Sequence, residues 1–483
     1  MIPLLLLCIL IVVLLARAIL FQPLQTTIEQ TPEEVLDGEQ IIEHFRQLLR
    51  HKTVSHIDKN QTDLAAFQAF QKSLVSLYPE VNKNCTCQYL GETGILYHWK
   101  GTSQEDPIVL MSHYDVVPAE ESAWDVPPFE AAVIDGIVWG RGTLDTKCTL
   151  LSVMESAEHL IKEGFVPSQD IYFSFSGDEE ISGESASAIV NHLKNKGIKP
   201  QMVLDEGGVV IKDGIFPGVN KQTAVIGLGE KGYIDLQVQF ESKGGHASAP
   251  PRHGITGAMG KLMADLENKT MKPVFMEPVL EMFNRLGRHS TFGYKIIFAN
   301  MWLFKPLLTI LFKKQGGQMN ALIRTTTAVT VLEGSKAYNV LPPKGTIGIN
   351  ARILNTDTMD STINHISSLV KVPHTIQVLN GREASPISPL QSNAFRALED
   401  TILDIWPQAV VSPYLMIAGT DSRHFHAICD NVLRFAPMEI TQEELNLIHS
   451  NNERIPVDSV LKSVTYYIKL IRRLGSVSSP YSK

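Results

Sequence analysis

Short apolar runs alternate with helical stripes along this chain, and one interruption breaks the alternation. Ile108-Val109-Leu110-Met111, Ile171 to Phe175 and Met202 to Leu204 are apolar throughout, as strands buried on both faces require. Between the first two, Leu150, Val153, Met154, Ala157, Leu160 and Ile161 recur at helical spacing over Thr149 to Glu163. This order predicts an α/β unit, a mostly parallel sheet covered by helices. Near Val225 the pattern changes. Tyr233 to Phe240 alternates strictly, as an antiparallel strand with one wet face does. A helix (Ile255 to Leu266), two alternating strands (Thr325 to Leu332 and Thr346 to Ile353), a helix (Asp360 to Val370) and a strand (His374 to Leu379) follow. The order β-α-β-β-α-β is a split, ferredoxin-like α+β arrangement. The expected organisation is an α/β domain over 41–224 and 385–483, interrupted by a smaller domain over 225–384.

Ile2 to Leu15 is an apolar leader followed by Ala16-Arg17-Ala18, a small-x-small cleavage pattern, so 1–18 reads as a signal peptide and 19–40 as a linker. Fourteen helical residues span about 21 Å, short of a bilayer core, but continuation to Phe21 leaves an uncleaved signal-anchor open. Glycosylation sequons begin at Asn60, Asn84 and Asn268, supporting a secreted product. Beyond the leader, Cys85, Cys87, Cys148 and Cys429 form neither a disulfide framework nor a zinc-ribbon pattern. A net charge of −8 without a basic run argues against nucleic acid as a partner.

The chemistry lies directly after the strands. His113-Tyr114-Asp115, Asp178-Glu179-Glu180 and Asp205-Glu206 follow apolar runs, Asp145 ends a glycine-rich turn before a helix, and His449 lies far downstream. Ligands of open parallel sheets bind at the carboxyl ends of strands. Taken singly, a post-strand Asp is commonly a helix cap and a Glu pair a solvated loop. Together in one crevice, the carboxylates repel unless cations neutralise them; two at ~4 Å repel by about 4 kcal/mol. Imidazoles with carboxylates suit two zinc ions. The charges of Asp145, Glu180, Asp205 and a hydroxide balance them. Glu179 is placed to accept a proton from water, and Asp115 to hold the far nitrogen of His113.

The strings SHYDVVP (112–118), GRGTLDTK (140–147) and GDEE (177–180), with GGHAS (244–248), NVLP (339–342) and GTDS (419–422), resemble the aminoacylase / carboxypeptidase S / carnosinase family of dinuclear zinc metallopeptidases. The resemblance runs from about residue 40 to 470. It implies His113, Asp145 and Asp205 on one zinc, and Asp145, Glu180 and His449 on the other. Asp205 is implied rather than Glu206 as the residue directly after the strand. Glu179 is implied as general base, Asp115 as its neighbour's support, and the Asp145-Thr146 peptide as cis. The inserted domain is implied to be a lid and homodimer surface. From it His246 would reach the partner's site as oxyanion donor, and Asn339 and Arg352 would bind the substrate carboxylate. Arg382 and Gly419 are further substrate-binding candidates.

An excess stretch, 273–318, contains Ile296 to Phe312, hydrophobic at 13 of 17 positions. It reads as a buried helix pair, a slot for an acyl chain, or a lipid or lipoprotein contact. With the leader and the length, this stretch resembles the branch of secreted N-fatty-acyl-amino-acid synthase/hydrolases. That branch implies N-acyl amino acids, fatty acids and amino acids as small-molecule partners. A Gly-X carboxypeptidase or dipeptidase would share the same metal ligands.

Overall fold

The computed structural model describes residues 1–24, 28, 30–214, 216–476 and 481, so parts of the expected linker (25–27 and 29) and of the C-terminal end (477–480, 482 and 483) lie outside the described residues. Helix α1 (Ile2–Leu20) comes first. Strands β1 (Gly94–Trp99) and β2 (Ser103–His113), helix α2 (Lys147–Lys162), and strands β3 (Gln169–Ser176), β4 (Met202–Asp205) and β5 (Thr223–Glu230) follow. The second unit comprises β6 (Gly232–Glu241), α3 (Ile255–Asn268), α4 (Glu277–Gly287), α5 (Phe292–Phe298), α6 (Met301–Gln315), β7 (Thr326–Glu333), β8 (Lys344–Ile353), α7 (Met359–Leu369) and β9 (Thr375–Arg382). The chain then returns through α8 (Asn393–Ile405), β10 (Val410–Met416), β11 (Val432–Arg434) and α9 (Val457–Gly475).

The large sheet runs β1-β3-β2-β4-β11-β5, with β10 also pairing β5. Its centre, β3-β2-β4-β11, is parallel. Alternate residues of β2 feed different cores. Ile108 and Leu110 pack in one cluster with α2 and α9, while Val109 and Met111 pack on the other face with Ile189 and Phe425. Burial on both faces is the reason the strand reads as an unbroken apolar run.

The smaller sheet runs β7-β8-β6-β9, antiparallel throughout, in the expected split arrangement. Ile234, Leu236, Val238 and Phe240 of β6 are buried with Met259, Leu262 and Ile366 of α3 and α7. Register places Tyr233 opposite both Arg352 of β8 and Arg382 of β9.

One boundary and one packing arrangement differ from the sequence expectation. β5 belongs to the large sheet, pairing with β10 and β11, so the chain crosses at Lys231 and not at 225. Its apolar residues gave no sign of which sheet they would join. The apolar stretch 273–318 forms α4 to α6, and α4 packs against β10 of the catalytic sheet. Phe283, Phe298 and Phe312 share a core there with Leu415 and Val410. The stretch therefore ties the lid sequence to the catalytic domain.

The crossing is fastened by a buried ion pair. Arg434 Nε donates to Glu230 Oε1 at 2.7 Å, with both side chains essentially inaccessible. Thr420 Oγ1 donates to the same oxygen at 2.8 Å. Removing one partner of a buried pair leaves an uncompensated charge, at a cost of about 3–5 kcal/mol. Arg434→Met should therefore lower unfolding stability by about that amount in a denaturant titration.

Candidate metal centre

Three loops and a helix start converge at the carboxyl ends of β2, β3 and β4. His113 is the last residue of β2 and is buried. Glu179 and Glu180 open a single 3₁₀ turn after β3, and Asp145 stands just before α2. His449 has φ 61°, a left-handed backbone that turns its ring back toward the sheet.

Asp145 lies between two imidazoles, with one ring on each carboxylate oxygen. Its Oδ1 is 2.9 Å from His113 Nε2, and its Oδ2 is 2.8 Å from His449 Nε2. Glu180 Oε2 lies 3.1 Å from the same His449 nitrogen. Donor atoms of His113, Asp145 and Glu180 form one compact group, and those of His113, Glu179 and Glu206 form another. The Asp145-Thr146 peptide is cis.

Asp115 supports this cluster from behind. His113 Nδ1 is 3.0 Å from the Asp115 carbonyl oxygen and 3.3 Å from Oδ1, which leaves Nε2 facing the site. The Asp115 carboxylate also accepts from Ser55 Oγ and from the backbone N–H groups of Glu179 and Glu180. One buried carboxylate thus orients both strand ends.

The two adjacent acids at the end of β4, of which Asp205 was the expected ligand, face different ways. Asp205 is turned away from the cluster, and its Oδ2 accepts the Ser422 N–H at 3.0 Å. Glu206 Oε1 instead lies 3.3 Å from His113 Nε2. Asp205 is the last residue of β4 and Glu206 the first beyond it, and the alternation of the strand sends these two side chains to opposite faces. Asp205 serves the Gly419–Ser422 loop.

Glu453, outside the expected site residues, supports the cluster from the far side. Wholly buried, it accepts from Arg141 Nη1 at 2.8 Å, from the Leu144 N–H at 2.7 Å and from the Gly142 N–H at 3.1 Å. It thereby clamps the glycine-rich loop carrying Asp145 to the loop carrying His449. Its signal was the invitation of a lone acid four residues past His449 to pair with Arg141.

Burial raises Glu206 to about 8 and Glu179 well above the ordinary carboxyl range. Burial would raise Asp145 too, but its two imidazole partners hold it far below that range. Hydrogen bonds to Asp145 and then Glu180 push His449 up to about 10. Glu180 Oε1 is buried with no hydrogen-bond partner among the described residues. Nitrogen and oxygen donors, converging carboxylates and this orphaned oxygen fit a site for divalent cations.

Of the lid candidates, Arg382 lies within electrostatic reach of Glu179, and the others are exposed. His246 and Asn339 are exposed and adjoin in a small ribbon, where His246 pairs with Val340 and the Ala247 N–H donates to the Asn339 carbonyl at 3.0 Å. Arg352 is exposed, 5.6 Å above the Tyr233 ring. Arg382 covers the same ring at 4.8 Å and fills the space over Gly419, where a Cβ would fall 1.5 Å from its Nη2. That glycine is required by the close approach of the guanidinium. Asn60, Asn84 and Asn268 are all exposed.

The profile of peptidase family M20/M25/M40 matches residues 109–473, and the chain belongs to that family. It is a metallohydrolase. Among individual relatives, it is 33% identical over 443 residues to a zebrafish (Danio rerio) N-fatty-acyl-amino acid synthase/hydrolase, PM20D1.1, covering 90% of this chain and 85% of that one. It is also 33% identical over 429 residues to a probable carboxypeptidase S-like 2 of Dictyostelium discoideum, covering 87% and 82%. Its fold is similar to that of an M20 family metallo-carboxypeptidase from Sulfolobus solfataricus, with TM-score 0.63, 16% identity, and 89% and 98% covered.

The geometry separates the two adjacent acids experimentally. Glu206→Gln should lower bound metal by about one ion per chain, and Asp205→Asn should leave it unchanged, by elemental analysis of purified protein.

Proposed function

We propose that the chain hydrolyses, and in reverse condenses, N-long-chain-fatty-acyl amino acids at a pair of zinc ions. His113, Asp145, Glu180, Glu206 and His449 would hold the ions. The placement of Asp145 between two imidazoles is the observation that carries the metal-dependent amide chemistry of this reading. When bound, the ions supply an activated water and polarise the amide carbonyl.

The protein's own groups would then complete the reaction. Glu179 accepts the proton that leaves water as its oxygen bonds to the amide carbon. As the carbon–nitrogen bond breaks, Glu179 passes that proton to the departing amine, which leaves as a free amino acid beside the fatty acid. Condensation runs through the same proton positions in reverse. Asp115 keeps His113 oriented, and Glu453 keeps the Asp145 and His449 loops in register. Arg382, over Gly419, faces the site from the lid and suits the substrate's carboxylate. His246, Asn339 and Arg352, exposed on the same lid, would serve the neighbouring subunit of a homodimer, His246 as oxyanion donor. The leader would direct the chain into the secretory route, where the exposed Asn60, Asn84 and Asn268 would meet glycosylation.

The fatty-acyl substrate is supported by the zebrafish relative and by the apolar stretch, which borders an open cleft of about 460 Å³ lined in part by Tyr294, Ile297, Phe298, Leu308 and Phe312. Each buried methylene contributes about 0.8 kcal/mol, so a long chain would dominate binding. The Dictyostelium relative, at equal identity, favours a second reading as a carboxypeptidase on short peptides.

Purified protein should hydrolyse N-oleoyl-phenylalanine with a higher kcat/KM than a dipeptide ending in phenylalanine; the reverse preference selects the carboxypeptidase reading. Glu179→Gln should lower kcat by about 10²–10⁴ on either substrate, with metal content unchanged.

A further inference from the structure

Helix α1 is fastened to the body of the protein by polar ties at its C-terminal end. Arg17 Nε and Nη2 donate to the Ala299 carbonyl at 3.1 and 3.0 Å, where α5 ends. Asn300 Nδ2 donates to the Leu14 carbonyl at 3.1 Å. Just beyond the helix, Arg288 Nη1 donates to the Gln22 carbonyl at 2.9 Å and its guanidinium sits 4.6 Å from the Phe21 ring. Cleavage after Ala18 would remove Leu14 and Arg17, leaving the Asn300 amide and the Ala299 carbonyl without these partners.

Apart from Ala18, no residue of α1 is buried, although the helix is apolar around its whole circumference. At 19 residues it is long and apolar enough to cross a membrane, about 28 Å at the usual rise. A second subunit could cover one face of such a helix. Only an apolar medium covers every face.

The same end of the protein carries a second uncovered apolar surface. Helix α6 follows α5 at 104° and buries Leu308 and Phe312 in the core shared with β10. Its opposite face exposes Trp302, Leu303, Leu307, Ile310 and Leu311, which fall on one side at helical spacing. A soluble surface helix carries charges on that side. Here the exposed lysines Lys313 and Lys314 are confined to its last turn, where headgroups would meet them. A cleft of about 470 Å³ between Arg17, Phe21, Phe298 and Trp302 joins the two apolar surfaces.

We propose that α1 stays on the mature chain, and that α1 and the outer face of α6 form one surface seated in a phospholipid bilayer. The ties at Leu14 and Arg17 set the depth: α1 enters the hydrocarbon, while α6 lies along the boundary between acyl chains and headgroups. This surface is independent of which amide the enzyme cleaves.

The test uses the full chain expressed in cells with a secretory pathway. Mass spectrometry of the mature N-terminus should find residues 1–18 attached, and the protein should remain with membranes through alkaline carbonate. Reconstituted into vesicles of phosphatidylcholine with brominated acyl chains, its tryptophan emission should be quenched. Trp302→Phe should remove that quenchable component, because Trp99, Trp124 and Trp406 are buried inside the protein and the half-buried Trp139 sits in a short catalytic-domain strand beneath the Arg454 guanidinium. A mature chain beginning at Ile19, or a chain released by carbonate, overturns the proposal. So does retention of α1 with quenching unchanged by Trp302→Phe. Shielding of Trp302 from brominated lipid with self-crosslinking through α6 would assign that face to a second copy and overturn the lipid seat.

Discussion

A single carboxylate, Asp145, shared between His113 and His449, is the constraint on which the site depends. Its two imidazole partners lie 336 positions apart in the chain, one closing a central strand and the other on a left-handed loop. Neither loop would hold that position alone. Glu453 locks them together through backbone N–H groups of the 142–144 turn, and Asp115 fixes the opposite side through His113 and the start of the 179–181 turn. Buried carboxylates receiving several donors are rigid, and rigidity keeps like charges converging on one point without collapse of the loops.

The same logic extends to the junction between domains. Glu230 closes β5 immediately before the crossing, and it binds Arg434 of the sheet and Thr420 of the loop behind the cluster. Asp205, turned from the crevice, holds Ser422 of that loop. Just past the crossing, Lys231 Nζ donates to the Ala321 and Arg324 carbonyls, and α4 packs along β10. The lid is therefore joined to the catalytic sheet by charge at the crossing and by apolar packing at the insert. Row by row, the lid's own sheet lines Arg352 and Arg382 on either side of Tyr233.

Much of this was legible beforehand. The unbroken strand at 108–111 announced burial on two faces, the strict alternation at 233–240 announced a one-sided sheet, and the residues after strands announced a cation site. Glu453 was only partly legible: a lone acid can be paired with Arg141, but its other partners are backbone N–H groups of a distant turn, which no side-chain pattern reports. The insert's position was illegible for a related reason. Aromatic residues such as Phe283 and Phe298 declare that they will be buried, but a non-directional force does not say against what.

The sequence by itself determined the two-domain α/β and α+β organisation, the acids and imidazoles available to cations, and the apolar helix at the N-terminus. These follow from local periodicity and residue chemistry, which act over a few positions. Only the tertiary structure decided that Glu206, and not Asp205, faces His113, since a one-residue change in where a strand ends exchanges the faces of its successors. It alone placed β5 in the catalytic sheet, α4 on β10, and Arg17 against Ala299. Those choices rest on contacts between segments hundreds of residues apart, where geometry discriminates among partners that composition leaves equivalent.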